Sequence, residues 1–325
     1  VSGILVLVEH LRGEVRDVTY EMLAKAGSVA AAAKQTVSAV VLEAPGGVIA
    51  GKVAGLCDNL ISVEDAGLKD FNAEAYQQVL GDIISSEKPS LVMMAHSALG
   101  VDFAPSLAAK TGMPLVSDVI GISGDDNGFL MTRQMYAGKL NAEWRFKTEA
   151  GMVTVRAAAF KAGDVNALKR ESKRASRAVQ LSLRRKFLGY EEAPTTGVDI
   201  TKATAIVAVG RGIKEQKNLA LVEQFAKRIG AEVGCSRPVI DAGWLTKDRQ
   251  IGSSGKTVKP KLYIGLGISG AFQHTAGIKA AETIVAINKD PNAPIFSIAH
   301  FGIVGDIMKV LPALEAKIME LRAKT

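Results

Sequence analysis

Two glycine turns in the second half of the chain carry the residue types that hold phosphorylated ligands. The first, AIVAVGRGI, sets Gly210 and Gly212 on either side of Arg211. The second, KLYIGLGISGAFQHTAGI, spaces Gly265, Gly267 and Gly270 as G-x-G-x-x-G between a strand-like and a helix-like run. Glycines at such a junction let the backbone approach a pyrophosphate, and free amides at a helix start supply positive potential. The same glycines can also serve close packing alone. An NAD site usually adds an acid at a strand end to grip the ribose. Here the next strand, TIVAIN, ends in Asn288, and Asp290 falls in the NKDPNAP turn. Between the two turns, the polar stretch Cys235–Lys256 gathers Arg237, Asp241, Gln250, Ser253, Ser254 and Lys256. A loop of that length without secondary structure is usually functional or disordered. A functional one would lie across the carboxyl edge of a sheet, where doubly wound folds bind ligands.

The elements that must position these residues alternate. In the first half, strands are expected at Ile4–Val8, Ser38–Ala44, Leu60–Val63 and Ser90–Ser97. Helices are expected over 19–35, 53–56, 72–87 and 102–110. That alternation predicts a parallel sheet covered on both faces. After Ser117 come shorter strand-like runs at Phe129–Tyr136, Ala142–Lys147 and Met152–Ala159, which read as antiparallel additions to the same sheet. Gly189–Asp199 (GYEEAPTTGVD) is the linker candidate, giving an N-terminal α/β domain over 1–190 and a second domain over 191–325. The second domain repeats the α/β pattern. Strands are expected at Ala205–Val209, Lys261–Ile264, Thr283–Ile287 and Ile295–Ile298, and helices over 214–229, 271–281 and 303–320.

Bulk properties narrow the classes. A chain of 325 residues exceeds one ordinary hydrophobic core. No apolar run approaches the roughly 18–20 residues that span a bilayer, and Val1–His10 is too short and too polar at its end for a leader. Cys57 and Cys235 lack C-x-x-C spacing, which suits a reducing, cytoplasmic setting, and Cys235 reads as a small buried filler. His10, His96 and His300 share no ligand spacing, so no metal is expected. Residues 161–186 hold nine basic groups against Asp164 and Glu171, which matches the whole net charge of +7. Such a stripe can bind phosphates, but no aromatic interleaves it before Phe187, and a solvated or partner-facing segment is the favoured reading.

The stretch Pro260–Phe296 (PKLYIGLGISGAFQHTAGIKAAETIVAINKDPNAPIF) closely resembles the signature of electron transfer flavoprotein α subunits. The runs SRPVIDAGW, QIGSSGK and VGRGI resemble that family in the same order. The likeness continues more loosely through the N-terminal half. It implies a Rossmann-like C-terminal domain binding FAD and an electron carrier with no catalytic residues of its own. It further implies a heterodimer with a β subunit, which would carry an AMP. Electrons would come from a primary flavoprotein dehydrogenase of acyl-CoA or amine type and pass to a membrane quinone oxidoreductase. Nucleic acid is not among the implied partners.

By position, the resemblance implies that Arg211 and Ser236 contact FAD and that Arg237 lies against the isoalloxazine. Gln250, Ile251, Gly252, Ser253 and Ser254 would line the ring's edge, with the Ser254 hydroxyl near N5. Ser269, Gly270, Ala271, Phe272, Gln273 and His274 would hold the pyrophosphate and the pyrimidine side, His274 facing the C2 carbonyl. Asn288, Asp306 and Ile307 would serve the adenosine end. The family's common Gln-Thr-Gly is here Ser253-Ser254-Gly255, which keeps the hydroxyl at 254 and loses an amide at 253. Its frequent Asp-Tyr-Gly is here His300-Phe301-Gly302. Reduction puts negative charge on the N1–C2=O side of a flavin, and Arg237 with His274 there would raise the first reduction potential. Two competitors remain at this level. One is an NAD-dependent dehydrogenase using the Gly265–Gly270 turn, and the other is a nucleic-acid binder using the basic stripe.

Overall fold

The computed structural model describes residues 3–125, 128–136, 138–163, 171–191 and 198–322. Parts of the expected linker at 189–199 and of the basic segment at 161–186 thus lie outside the described residues. The chain forms two compact units, Val1–Gly189 and Tyr190–Thr325.

The first unit contains strands β1 (Ile4–Leu7), β2 (His10–Leu11), β3 (Glu14–Val15), β4 (Val37–Glu43), β5 (Asn59–Glu64), β6 (Leu91–Ala95), β7 (Leu115–Asp125), β8 (Gly128–Met135), β9 (Leu140–Arg145), β10 (Gly151–Val155) and β11 (Lys173–Arg177). All but β2 and β3 join one nine-stranded sheet in the order β11-β5-β4-β1-β6-β10-β7-β8-β9. Its helices are α1 (Asp17–Ala33), α2 (Ile49–Val53), α3 (Ala73–Glu87) and α4 (Ala98–Thr111). Strand ILVL shows why the sheet is covered twice. Ile4 and Val6 join the core that includes Met22, Leu23 and Ala26 of α1. Leu5 and Leu7 join the opposite core with Leu80 of α3 and Phe103 of α4. Each such side chain contributes about 1.5–3 kcal/mol of burial. Side chains cap the starts of α3 and α4: the Asn72 carboxamide oxygen accepts from the Glu74 amide at 2.9 Å, and the Ser97 hydroxyl accepts from the Gly100 amide at 3.1 Å.

Some elements of this unit depart from the sequence expectation. The pairs β7·β8 and β8·β9 are antiparallel, but the run read at Met152–Ala159 is no antiparallel addition. As β10 it is fully buried and lies parallel between β6 and β7. The short helix expected over 53–56 lies earlier, as α2. Part of the basic stripe is strand β11, an exposed edge strand parallel to β5. Beyond it Val179, Leu181 and Leu183 pack on the α3 core, while Glu74 accepts the amides of Arg184 and Arg185 at 2.8 and 3.0 Å.

In the second unit, strands β12 (Ala205–Val209), β13 (Glu232–Cys235), β14 (Leu262–Leu266), β15 (Thr283–Asn288) and β16 (Phe301–Val304) form a parallel sheet in the order β13-β12-β14-β15-β16. Helices α5 (Leu219–Ile229) and α8 (Ile307–Arg322) pack one face through Val222, Phe225 and Leu311. Tyr263, Ile278 and Ile295 fill the other. Two shorter helices, α6 (Arg237–Asp241) and α7 (Phe272–Thr275), stand next to the sheet's carboxyl edge. The helix expected over 271–281 is therefore a single turn. The strand expected at Ile295–Ile298 is a 3-10 turn over Pro294–Ser297, and the actual strand is β16. Among the described residues no helix is long and apolar enough to cross a membrane.

Candidate functional site

The order of the five strands places the sheet's reversal between β12 and β14, because β13 lies on one side of β12 and β14 on the other. Ligands of doubly wound sheets bind at the carboxyl ends flanking such a reversal. Register aligns those ends: Val209 pairs with Cys235 and with Leu266, and Leu266 with Ile287. The residues that leave the sheet there include Arg211, Ser236, Arg237, Ser269, Asn288, Asp306 and Ile307.

The two glycine turns lock together backbone to backbone. A Cβ on Gly210 would sit 2.3 Å from the Gly267 carbonyl oxygen, and one on Gly212 would sit 2.5 Å from the Gly267 Cα. Gly267 itself has φ +62°, and the Gly212 amide donates to its carbonyl at 3.1 Å. These glycines thus serve close packing at the reversal. Gly265 lies within β14, and Gly270 (φ +83°) abuts the Ile295 backbone. What the turn leaves for a ligand is its amides. Those of Ser269, Gly270 and Ala271 meet no acceptor among the described residues. The one-turn length of α7 means that this turn offers local amides rather than a helix dipole.

The stretch 235–256 is organised, not an open loop. Ser236 is buried and precedes α6, yet its hydroxyl makes no capping bond. Arg237 is largely exposed and stands 3.6 Å from Asp241. The Ile251 amide donates to the Cys235 carbonyl at 2.8 Å, which seats residues 250–256 beside β13. A tight turn follows, with Gly252 at φ +136° pressed against the Gln273 carbonyl. The Ser253 amide donates to that carbonyl at 2.7 Å, joining this turn to α7. The buried Gln250 side chain donates through Nε2 to the Ser254 Oγ at 2.8 Å. Ser254 accepts there, so its own O–H is left to donate elsewhere.

His274 is a buried residue of α7. Its Nε2 lies 2.6 Å from the Tyr263 hydroxyl, and its buried Nδ1 has no hydrogen-bond partner among the described residues. Burial pushes the imidazole down to about 4, an effect the nearby Ile251 backbone only partly offsets, so the ring is neutral at physiological pH. Burial likewise pushes the Cys235 thiol up to about 12, leaving it inert. Ala271, Phe272 and Gln273 line the turn, with Lys279 Nζ 5.8 Å from the Phe272 ring. At the far side Asn288 donates to the Ile268 carbonyl at 2.9 Å and accepts from the Asp290 amide at 3.1 Å. Asp306 accepts from the Met308 amide at 3.0 Å, starting α8, and Lys214 stands 3.4 Å away. The Met308 amide and then Lys214 hold its carboxyl below the usual range. Ile307 is buried, and its Cδ1 would lie 2.8 Å from a Cβ on Gly267.

All seventeen residues singled out from the sequence thus fall along one edge of the second unit. Tyr263 is not among them, because in sequence it reads as a core aromatic of β14. Its only signal is a polar-tipped ring in an otherwise apolar strand.

A sequence model described as the electron transfer flavoprotein FAD-binding domain matches residues 199–279, and one described as the electron transfer flavoprotein domain matches 4–182. The electron transfer flavoprotein subunit alpha of Bacillus subtilis is 35% identical, over 98% of this chain and 98% of its own. The chain belongs to the electron transfer flavoprotein α-subunit family. Also similar are protein FixB of Azotobacter vinelandii, 36% identical over 97% of this chain and 90% of its own, and LctC, a subunit of the lactate dehydrogenase (NAD(+),ferredoxin) of Acetobacterium woodii. The latter is 38% identical, over 96% of this chain and 76% of its own.

Membership settles the cofactor as FAD and the role as electron transfer, and sets aside the NAD reading of the glycine turn. The residues of this edge fit a flavin dinucleotide: among the described residues, three amides of one turn and one buried imidazole nitrogen have no hydrogen-bond partner. FAD supplies one- and two-electron redox chemistry when bound.

Proposed function

We propose that the chain is a mobile electron carrier with no substrate turnover of its own, working as the α subunit of a heterodimer. Residues 1–190 would pack on a β subunit that holds an AMP, and residues 191–325 would hold the one FAD. In this reading Arg211, Ser236 and the amides at Ser269–Ala271 bind the dinucleotide's phosphates. Arg237, Ile251–Ser254 and Gln273–His274 surround the ring, and Asn288 with Asp306 and Ile307 serves the adenosine. Gln250 orients the Ser254 hydroxyl as a donor. The carrying observation is the convergence of these residues on one carboxyl edge, with the His274 Nδ1 left unpaired. Electrons would arrive from a primary flavoprotein dehydrogenase of acyl-CoA or amine type and leave to a membrane quinone oxidoreductase, within the cytoplasm.

The test is co-expression with the candidate β subunit, followed by an absorption spectrum and anaerobic reduction by a donor dehydrogenase. A yellow heterodimer reduced only in the donor's presence supports the carrier. A colourless protein, or one that oxidises a small substrate unaided, would overturn it.

The likeness to LctC favours a second reading, in which the chain stays bound within a larger dehydrogenase complex. Gel filtration with the donor separates the two: a carrier elutes apart from it, and a fixed subunit elutes with it.

A further inference from the structure

Tyr263 lies inside β14 with its ring wholly buried, in the core formed by Ile206, Ile268 and Ile278. A phenol in such a place is costly unless its hydroxyl finds a partner. The partner is His274, through the 2.6 Å contact between Oη and Nε2. The ring centroids are 6.2 Å apart at 52°, so the hydroxyl is what joins the two side chains.

The proton on this pair has two neutral arrangements. In one, the phenol O–H donates to Nε2 and the ring carries its hydrogen on Nδ1, which leaves a single unmet group, the Nδ1–H. In the other, Nε2–H donates to the phenol oxygen, which strands both the phenol hydrogen and the Nδ1 lone pair. Buried polar groups without partners are expensive, so the first arrangement is the more stable. Burial also holds the phenol protonated and the imidazole neutral.

We propose that Tyr263 is a positioning residue whose hydroxyl fixes His274 as the neutral Nδ1–H tautomer, presenting one hydrogen-bond donor to FAD. The inference rests on the reading of His274 as a flavin contact. It adds the chemical form of that contact and the residue that sets it. A neutral donor favours negative charge on an acceptor carbonyl without itself exchanging a proton, so electron gain need not be coupled to titration of this histidine. An imidazolium would donate from both nitrogens and could no longer accept the Tyr263 hydroxyl, and the opposite tautomer would turn a lone pair towards the acceptor and repel it.

The test uses the FAD-loaded heterodimer labelled with nitrogen-15 histidine. Two-bond proton–nitrogen NMR correlations report which ring nitrogen carries hydrogen at each labelled histidine, four of them in this chain, and His274→Gln identifies the His274 signals by their loss. Expected in the unmodified protein is hydrogen on Nδ1 and none on Nε2, unchanged between about pH 5.5 and 8. Tyr263→Phe should move hydrogen towards Nε2 and weaken the first one-electron reduction by roughly three- to tenfold in equilibrium constant, the worth of one ordinary hydrogen bond. Hydrogen on Nε2 in the unmodified protein overturns the proposal, and that spectrum needs no variant to fold. An unchanged tautomer in Tyr263→Phe overturns it as well. If His274→Gln leaves the flavin's potential and spectrum unaltered, the flavin reading of His274 itself fails. If His274→Gln shifts the potential and the tautomer is wrong, only the role of Tyr263 fails.

Discussion

At the scale of single residues, Arg237 and His274 offer two different kinds of polarity. Arg237 is a charge held loosely in solvent by Asp241, whereas His274 is a neutral ring sealed in the core. Truncating Arg237 should therefore change the flavin's properties and leave the fold intact. Arg237→Ala is expected to lower the first reduction potential by roughly 60 mV, equivalent to a tenfold loss in a one-electron equilibrium. An unchanged potential in anaerobic titration would show that Arg237 does not act on the ring. His274 has the opposite signature. Its folded pKa of about 4 lies below the ordinary 6.5, so between those values the unfolded chain binds more protons than the folded one. Stability contributed by the neutral ring is complete above about pH 6.5 and is lost as pH falls towards 4. The full difference amounts to about 3 kcal/mol. Urea unfolding from pH 7 to 4 should show this slope, and His274→Gln should flatten it.

At the scale of elements, the glycine turns after β12 and β14 behave as one joint. Any side chain on Gly267 meets Gly212 backbone at 2.6 Å and Ile307 Cδ1 at 2.8 Å, and the φ of +62° is itself unfavourable for alanine. Gly267→Ala should cost about 2–4 kcal/mol and lower FAD content, measured by thermal melting and by the flavin-to-protein absorbance ratio. A normal melt would mean that the joint is looser than its distances imply. The sequence exposed these turns clearly, because glycine at a strand exit is a strong local signal. It exposed other elements poorly, for identifiable reasons. Lys173-Arg-Ala-Ser-Arg177 has no apolar alternation, since an edge strand exposed on its faces needs none. Met152–Val155 was visible as a strand, but the direction and neighbours of a buried strand are set by distant partners rather than by its own period. The 271–281 helix stops after one turn, where Gly277 lies against the Gly252 backbone at a spacing no side chain could share. The site residues were legible through their ordered motifs. The hydroxyl of Tyr263 was not, because its role depends on a contact eleven residues away in sequence and across the core.

At the scale of the molecule, the second unit owns two hydrophobic cores of its own, one on each face of its sheet. The first unit likewise has a core on each face of its sheet, and β10 lies inside that sheet. That strand is buried at every position and hydrogen-bonded on both sides, with β6 on one edge and β7 on the other. A fragment ending at residue 148 would keep both flanking strands and lose the piece between them. It is expected to aggregate, while a fragment ending at 189 stays soluble; size-exclusion chromatography of the two compares them directly. Equal solubility would mean that β6 and β7 can close on each other without β10. The same arrangement sets a timetable during synthesis. A chain emerging from the ribosome makes β6, then β7, then the whole β8–β9 hairpin, before the strand that belongs in the middle exists. In the complete sheet β6 and β7 lie two strand spacings apart, about 10 Å, so a chain still lacking β10 leaves two edges each able to recruit another strand. The sheet is thus a lock whose inner tumbler is delivered late.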